Sequence, residues 1–134
     1  MEWTRDLATG VELIDSQHKE LIDRINRLFA ACSAGRGKEE VGKTLSFLGD
    51  YVVFHFRAEE REMAASQYPE LPSHKARHDR FVQDFLALKG RFEAEGPTPE
   101  LVVRANQLLV NWLIQHIRNV DKRMAAYLQR RTPR

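Results

Sequence analysis

The stretch Tyr51 to Met63, YVVFHFRAEEREM, places His55 and Glu59 one helical turn apart on an otherwise apolar face. Such an i, i+4 pair is offset by only about 40° around a helix, so both side chains point the same way. Upstream, the same face runs through Val41, Leu45, Leu48 and Val52, which marks the side that turns into a core. A carboxylate and an imidazole are costly there unless they are paired or bind a metal. The rest of the chain has to supply that partner.

Around this stretch the chain reads as an arm followed by four long helices. Residues 1–14 contain Gly10 and no clean period, which predicts a non-helical arm burying Trp3, Leu7 and Leu13, with Asp15 as the N-cap of the first helix. The first helix spans 15–34, with Ile14, His18, Leu21, Ile22, Ile25, Leu28, Phe29 and Cys32 on one stripe. It stops before Gly35 and Gly37. The second occupies 38–65, and Tyr68, Pro69 and Pro72 mark the turn after it. The third, 71–95, carries His74, His78, Phe81, Phe85, Leu88 and Phe92. After Gly96-Pro97, Thr98-Pro99 is a helix-start signal for the fourth, 99–118, which turns Val102, Ala105, Leu108, Leu109, Trp112, Leu113 and His116 inward. A short segment, 120–129, carries Met124, Tyr127 and Leu128. No stretch alternates as a half-buried strand does. Long amphipathic helices joined by short links must lie antiparallel. The expected fold is therefore all-α, one domain over 1–134: an up-down-up-down four-helix bundle with an N-terminal arm and a short C-terminal helical segment.

Composition sets the limits. The chain has 134 residues, 43% hydrophobic and 30% charged, which suits a single substantial core. A formal net charge of +2, with acids and bases interspersed, gives no footprint for nucleic acid or an acidic membrane. Arg130, Arg131 and Arg134 form a small basic tail that reads as a solvated terminus. The one cysteine, Cys32, excludes an internal disulfide, fits a reducing compartment and reads as a small core hydrophobe. With no leader-like segment and no membrane-length apolar run, a cytoplasmic protein is expected.

The histidines decide the chemistry. All five, His18, His55, His74, His78 and His116, fall on the inward stripes of the four helices. A lone inward histidine is usually a packed core residue; five out of five is a different matter. His74 and His78, at i, i+4, form a chelating pair, as do His55 and Glu59. Glu60 points about 140° away from His55. It and Glu62 read as a solvated face, although Glu60 can still orient a ligand imidazole from behind. Asp121, five residues after His116, joins the others only if the helix ends, bulges or kinks between Ile117 and Val120, where Asn119 tolerates a left-handed break. Capping of the last segment is the plain alternative for Asp121. Five imidazoles and two carboxylates are too many donors for one tetrahedral zinc and suit two metals bridged by Glu59 and Asp121. The set favours iron, manganese or cobalt over copper(I). Positive charge left by two carboxylates makes a bridging oxo or hydroxo group plausible and leaves room for a small exogenous molecule.

In these motifs the chain resembles the bacterial hemerythrins over nearly its whole length. One histidine on the first helix (His18) is followed by His-x-x-x-Glu (His55, Glu59), His-x-x-x-His (His74, His78) and His-x-x-x-x-Asp (His116, Asp121). The flanks Gly10-Val11, Ile14-Asp15, Gln17 to Leu21, Phe56, Glu60 and Met63 agree. The resemblance implies a non-heme di-iron centre (Fe2+/Fe3+) with a bridging oxo or hydroxo group. One iron would be held by His74, His78 and His116, the other by His18 and His55, and dioxygen would bind reversibly at the latter. It also implies that Leu113 and Trp112 border the oxygen pocket; plain core packing is the alternative for both. Oxygen storage, transport or delivery to an oxygen-consuming partner enzyme is the leading role. A sensor acting through a separate partner, a di-iron oxidase or peroxidase, and a nitric oxide-handling protein remain open. No inward acid or base beyond the ligands weighs against an enzyme, the absence of an output domain weighs against a sensor in cis, and a monomer or weak oligomer is expected.

Overall fold

A computed structural model describes residues 2–35 and 37–131. Helices α1 (Glu12–Ser33), α2 (Lys38–Ala65) and α3 (Leu71–Glu95) lead into a C-terminal rod. That rod runs without interruption through α4 (Pro99–Ala105), a π-helical turn (Asn106–Trp112), α5 (Leu113–His116), a second π-helical turn (Ile117–Asp121) and α6 (Lys122–Arg131). Among the described residues there is no strand, and no helix is long and apolar enough to cross a membrane.

Two apolar clusters show the topology. The larger contains Leu21 to Leu28 of α1, Val41 to Phe56 of α2, Phe81 to Phe92 of α3 and Leu101 to Ile117 of the rod. The smaller gathers Ile14, Met63, Tyr68, Met124 and Leu128. Helix α1 runs from the small cluster to the large one, α2 returns, α3 goes out again and the rod comes back. Neighbours are thus antiparallel, as amphipathic helices with short links require. In every one, the metal-type side chains lie where the larger cluster gives way to the smaller.

Local signals account for the boundaries. Thr98 Oγ1 accepts a hydrogen bond from the Leu101 amide at 3.3 Å, and Pro99 occupies the first helical turn. Gly96, at φ +79°, ends α3 in a conformation that side chains resist. The inward stripe of α3, His74 to Phe92, is buried at every expected position. In α4 the buried residues are Leu101 and Ala105, while Val102 is half-buried.

Several details differ from the sequence expectation. The arm is not wholly irregular: Arg5–Leu7 form a 3-10 turn that buries Leu7, with Trp3 packed partly against the core. Leu13 is 46% exposed, because α1 begins at Glu12 and turns that position outward. Asp15 is consequently inside the helix and not its N-cap. Its carboxylate reaches back to accept from the Thr9 amide and hydroxyl at 2.8 Å each and from the Gly10 amide at 3.2 Å, which fastens the arm. Gly10 sits at φ +86° against the Gln129 side chain, so the arm and α6 meet closely. The rod has no break at Asn119: Gln67 is the one non-glycine described residue with positive φ. Helix 99–118 and segment 120–129 are one continuous rod. Cys32 is half-buried against the core, where burial raises its thiol pKa and holds back the reactive thiolate. Arg134 and the side chain of Arg131 lie outside the described residues.

Candidate metal centre

His18 of α1, His55 and Glu59 of α2, His74 and His78 of α3, and His116 and Asp121 of the rod converge, each at most 4% exposed. Asp121 reaches the group because the turn Ile117–Asp121 is π-helical. An i→i+5 turn takes in an extra residue, so positions five apart come back to one side. Asp121 Oδ1 accordingly lies 3.1 Å from His116 Nε2. The bulge that the five-residue spacing demands is present, without the left-handed residue expected to make it.

The carboxylates divide the cluster in two. Glu59 Oε2 lies 3.4 Å from His18 Nε2 and 3.0 Å from His55 Nε2. Glu59 Oε1 lies 3.4 Å from His74 Nε2 and 3.2 Å from His78 Nε2. Asp121 Oδ2 faces His18 at 3.1 Å, while its Oδ1 faces His74 and His116, each at 3.1 Å. Two donor groups result: His74, His78 and His116 with both carboxylates, and His18 and His55 with both carboxylates. Each carboxylate offers one oxygen to each group.

The donor set fits metal ions. These separations are in ion-pair range, yet both oxygens of Glu59 and Asp121 and the Nε2 atoms of His18, His74, His78 and His116 are buried without a hydrogen bond. Donors about 2.1 Å from a shared ion sit roughly 3 Å apart when adjacent. Burying two carboxylates without compensation costs several kcal/mol per ion, which a cation between them removes.

Without metal, the same atoms hold protons. Burial disfavours a charged His18, but Asp121 and Glu59 outweigh it and raise its pKa to about 10. Burial is likewise outweighed at His74, raised to about 9 by the same two carboxylates. Against burial, His55, His18 and His74 hold Glu59 well below the usual carboxylate range. Asp121 is also lowered, burial and Glu59 opposing, His116 and His18 prevailing. A raised histidine contributes stability fully below its unfolded pKa of about 6.5 and loses it as pH climbs through 9–10. Metal must displace those protons. Loading the metal-free protein at pH 7 is therefore expected to release about two protons per chain, with apparent affinity rising toward pH 9. Stopped-flow loading in weakly buffered indicator dye measures this; loading with no proton release contradicts it.

Aromatic rings brace one side. Phe56 stacks on His78 with centroids 3.8 Å apart and planes 2° apart, and Trp112 stacks on His116 at 4.4 Å and 11°. Phe81 backs Trp112 at 4.4 Å. Leu113 is buried in the larger apolar cluster. Of the two readings that spacing leaves for Glu60, a solvated face or a place behind an imidazole, the second is found: it accepts from His78 Nδ1 at 2.9 Å, while Glu62 is exposed. Sequence reasoning missed Gln17. It is 7% exposed, and its Oε1 accepts from His55 Nδ1 at 2.8 Å. The available signal was its place three residues after Ile14 and four before Leu21, on the buried stripe.

Comparison with known proteins agrees with this geometry. The family described as "Hemerythrin HHE cation binding domain" matches residues 9–128. A bacteriohemerythrin of Methylococcus capsulatus is 37% identical over 123 residues, 91% of this chain and 92% of that protein. One from Pseudomonas aeruginosa is also 37% identical, over 89% of this chain and 75% of its own length. A hemerythrin-like protein of Naegleria gruberi is 34% identical over 94% and 92%. The crystal structure of a wild-type hemerythrin superposes with a TM-score of 0.85 at 36% identity, covering 96% of this chain and 97% of that one. With a family match over most of its length and relatives this similar, the chain belongs to the hemerythrin family.

Proposed function

We propose that the protein binds dioxygen reversibly at a non-heme di-iron centre. His74, His78 and His116 would hold one iron, His18 and His55 the other, with Glu59 and Asp121 bridging. The observation that carries this is the division of each buried carboxylate between the two histidine groups. Iron held by these residues would supply the electrons that reversible dioxygen binding needs. The chain supplies the enclosure. Beyond the seven donors, the buried residues with a polar side-chain group among those described include Gln17, Thr9 and Tyr68. Thr9 ties the arm to Asp15 of α1, Gln17 has no acid–base chemistry, and the Tyr68 hydroxyl is engaged by Glu70, burial and that carboxylate raising its pKa. No further buried acid or base is therefore poised to drive oxygen onward, and apolar walls on both sides keep water and stray protons out. These features favour a carrier or store, delivering to an oxygen-consuming enzyme or releasing oxygen free.

Anaerobic reduction followed by cycles of oxygen and argon tests this. A reversible colour change at one oxygen per two irons is expected. Rapid, irreversible conversion to the ferric state contradicts it and points to a sensor, an oxidase or a nitric oxide-handling protein. Leu113 and Trp112 would wall the oxygen pocket. Leu113→Ala is expected to speed autoxidation several-fold by admitting water, followed as the decay of the oxygenated absorption band. An unchanged rate removes Leu113 from the wall.

A further inference from the structure

All five imidazoles turn Nε2 toward the carboxylates, so any fixing of the rings from behind falls to Nδ1. Two rings have a side-chain acceptor there, and the acceptors differ in kind. His78, in the three-histidine group, donates to the carboxylate of Glu60. His55, in the two-histidine group, donates to the neutral amide oxygen of Gln17. His18 and His74 have no hydrogen-bond partner at Nδ1. A carboxylate behind an imidazole draws the Nδ1 proton toward itself and makes Nε2 a stronger electron donor, whereas an amide does so weakly. The settings differ too. Glu60 borders an open groove with Arg57, Lys75 and Asp79, while Gln17 is enclosed.

We infer that Glu60 and Gln17 are positioning residues that make the two metal positions electronically unequal. Glu60 strengthens His78 as a donor at the three-histidine position, and Gln17 leaves His55 the weaker donor at the other. The inequality favours the oxidised state of the three-histidine metal and keeps the two-histidine metal electron-poor, the better to release what it binds. This rests on the di-metal reading above.

The test uses full-length protein loaded anaerobically with 57Fe2+ and read by Mössbauer spectroscopy and by iron loss to a chelator. Wild-type protein should give two ferrous doublets. Glu60→Gln keeps an acceptor of the same shape and removes its charge. It should move one doublet only and loosen one of the two irons about tenfold. Gln17→Glu should move the other doublet, and if that buried charge prevents folding, Gln17→Ala should move it too. Glu60→Gln with both doublets and both loss rates at wild-type values overturns the inference, even if its melting temperature falls. Wild-type protein that holds no pair of irons overturns the metal reading itself, a distinguishable failure.

Discussion

Replacing Glu59 by alanine is expected to yield a folded bundle that no longer holds two metal ions. Glu59 is completely buried and lies within 3.4 Å of the Nε2 atoms of His18, His55, His74 and His78. Its removal deletes one donor from each position and one of the two links between them. It also withdraws a principal cause of the raised His18 and His74 pKa values. Asp121, the larger raising cause for both rings and 3.1 Å from each, stays in place to pair with them, so the variant is not left with unpaired buried charge. Iron content should fall from two per chain to one or none, while far-ultraviolet circular dichroism stays helical. His55→Ala should lose the two-histidine position in the same way. Full iron content in either variant refutes the ligand assignment.

Phe92→Ala should do the opposite, lowering stability and sparing the metal. Phe92 is fully buried at the far end of the larger cluster, more than three helical turns beyond His78. Deleting a buried phenylalanine side chain costs about 3–5 kcal/mol through lost burial and the cavity left behind. In a domain of this size the melting temperature should fall on the order of 10–20 °C. Iron stoichiometry at low temperature should remain two per chain. Loss of iron together with stability would mean that the centre depends on the whole core, and not on the turns that carry the ligands.

These two variants also separate what the sequence discloses from what it hides. Periodicity discloses the four inward faces, because a stripe such as His74 to Phe92 leaves its mark every third or fourth residue. The antiparallel arrangement follows from the short links. Asp15 was misplaced because a carboxylate three residues into a helix can reach back to the same kind of amide that an N-cap serves; only the chain path distinguishes them. The π-helical turns are nearly silent, since one inserted residue changes no composition. The five-residue gap from His116 to Asp121 is the trace of one of them, and Asn106–Trp112 leaves none. Gln17 escaped for a different reason, and for Glu60 spacing left a place behind an imidazole only as the second of two readings. Each serves a histidine on a neighbouring helix, 38 and 18 residues away in sequence, and no pattern within one helix records such a contact.

The central claim is that two metal ions lie between the same two carboxylates. Anomalous diffraction at the iron absorption edge, from crystals grown and cooled without oxygen, tests it most directly. Two peaks per chain should appear, each touching one oxygen of Glu59 and one of Asp121, with three histidines at the first and two at the second. A single peak, or Asp121 swung clear of the metal, would contradict the account.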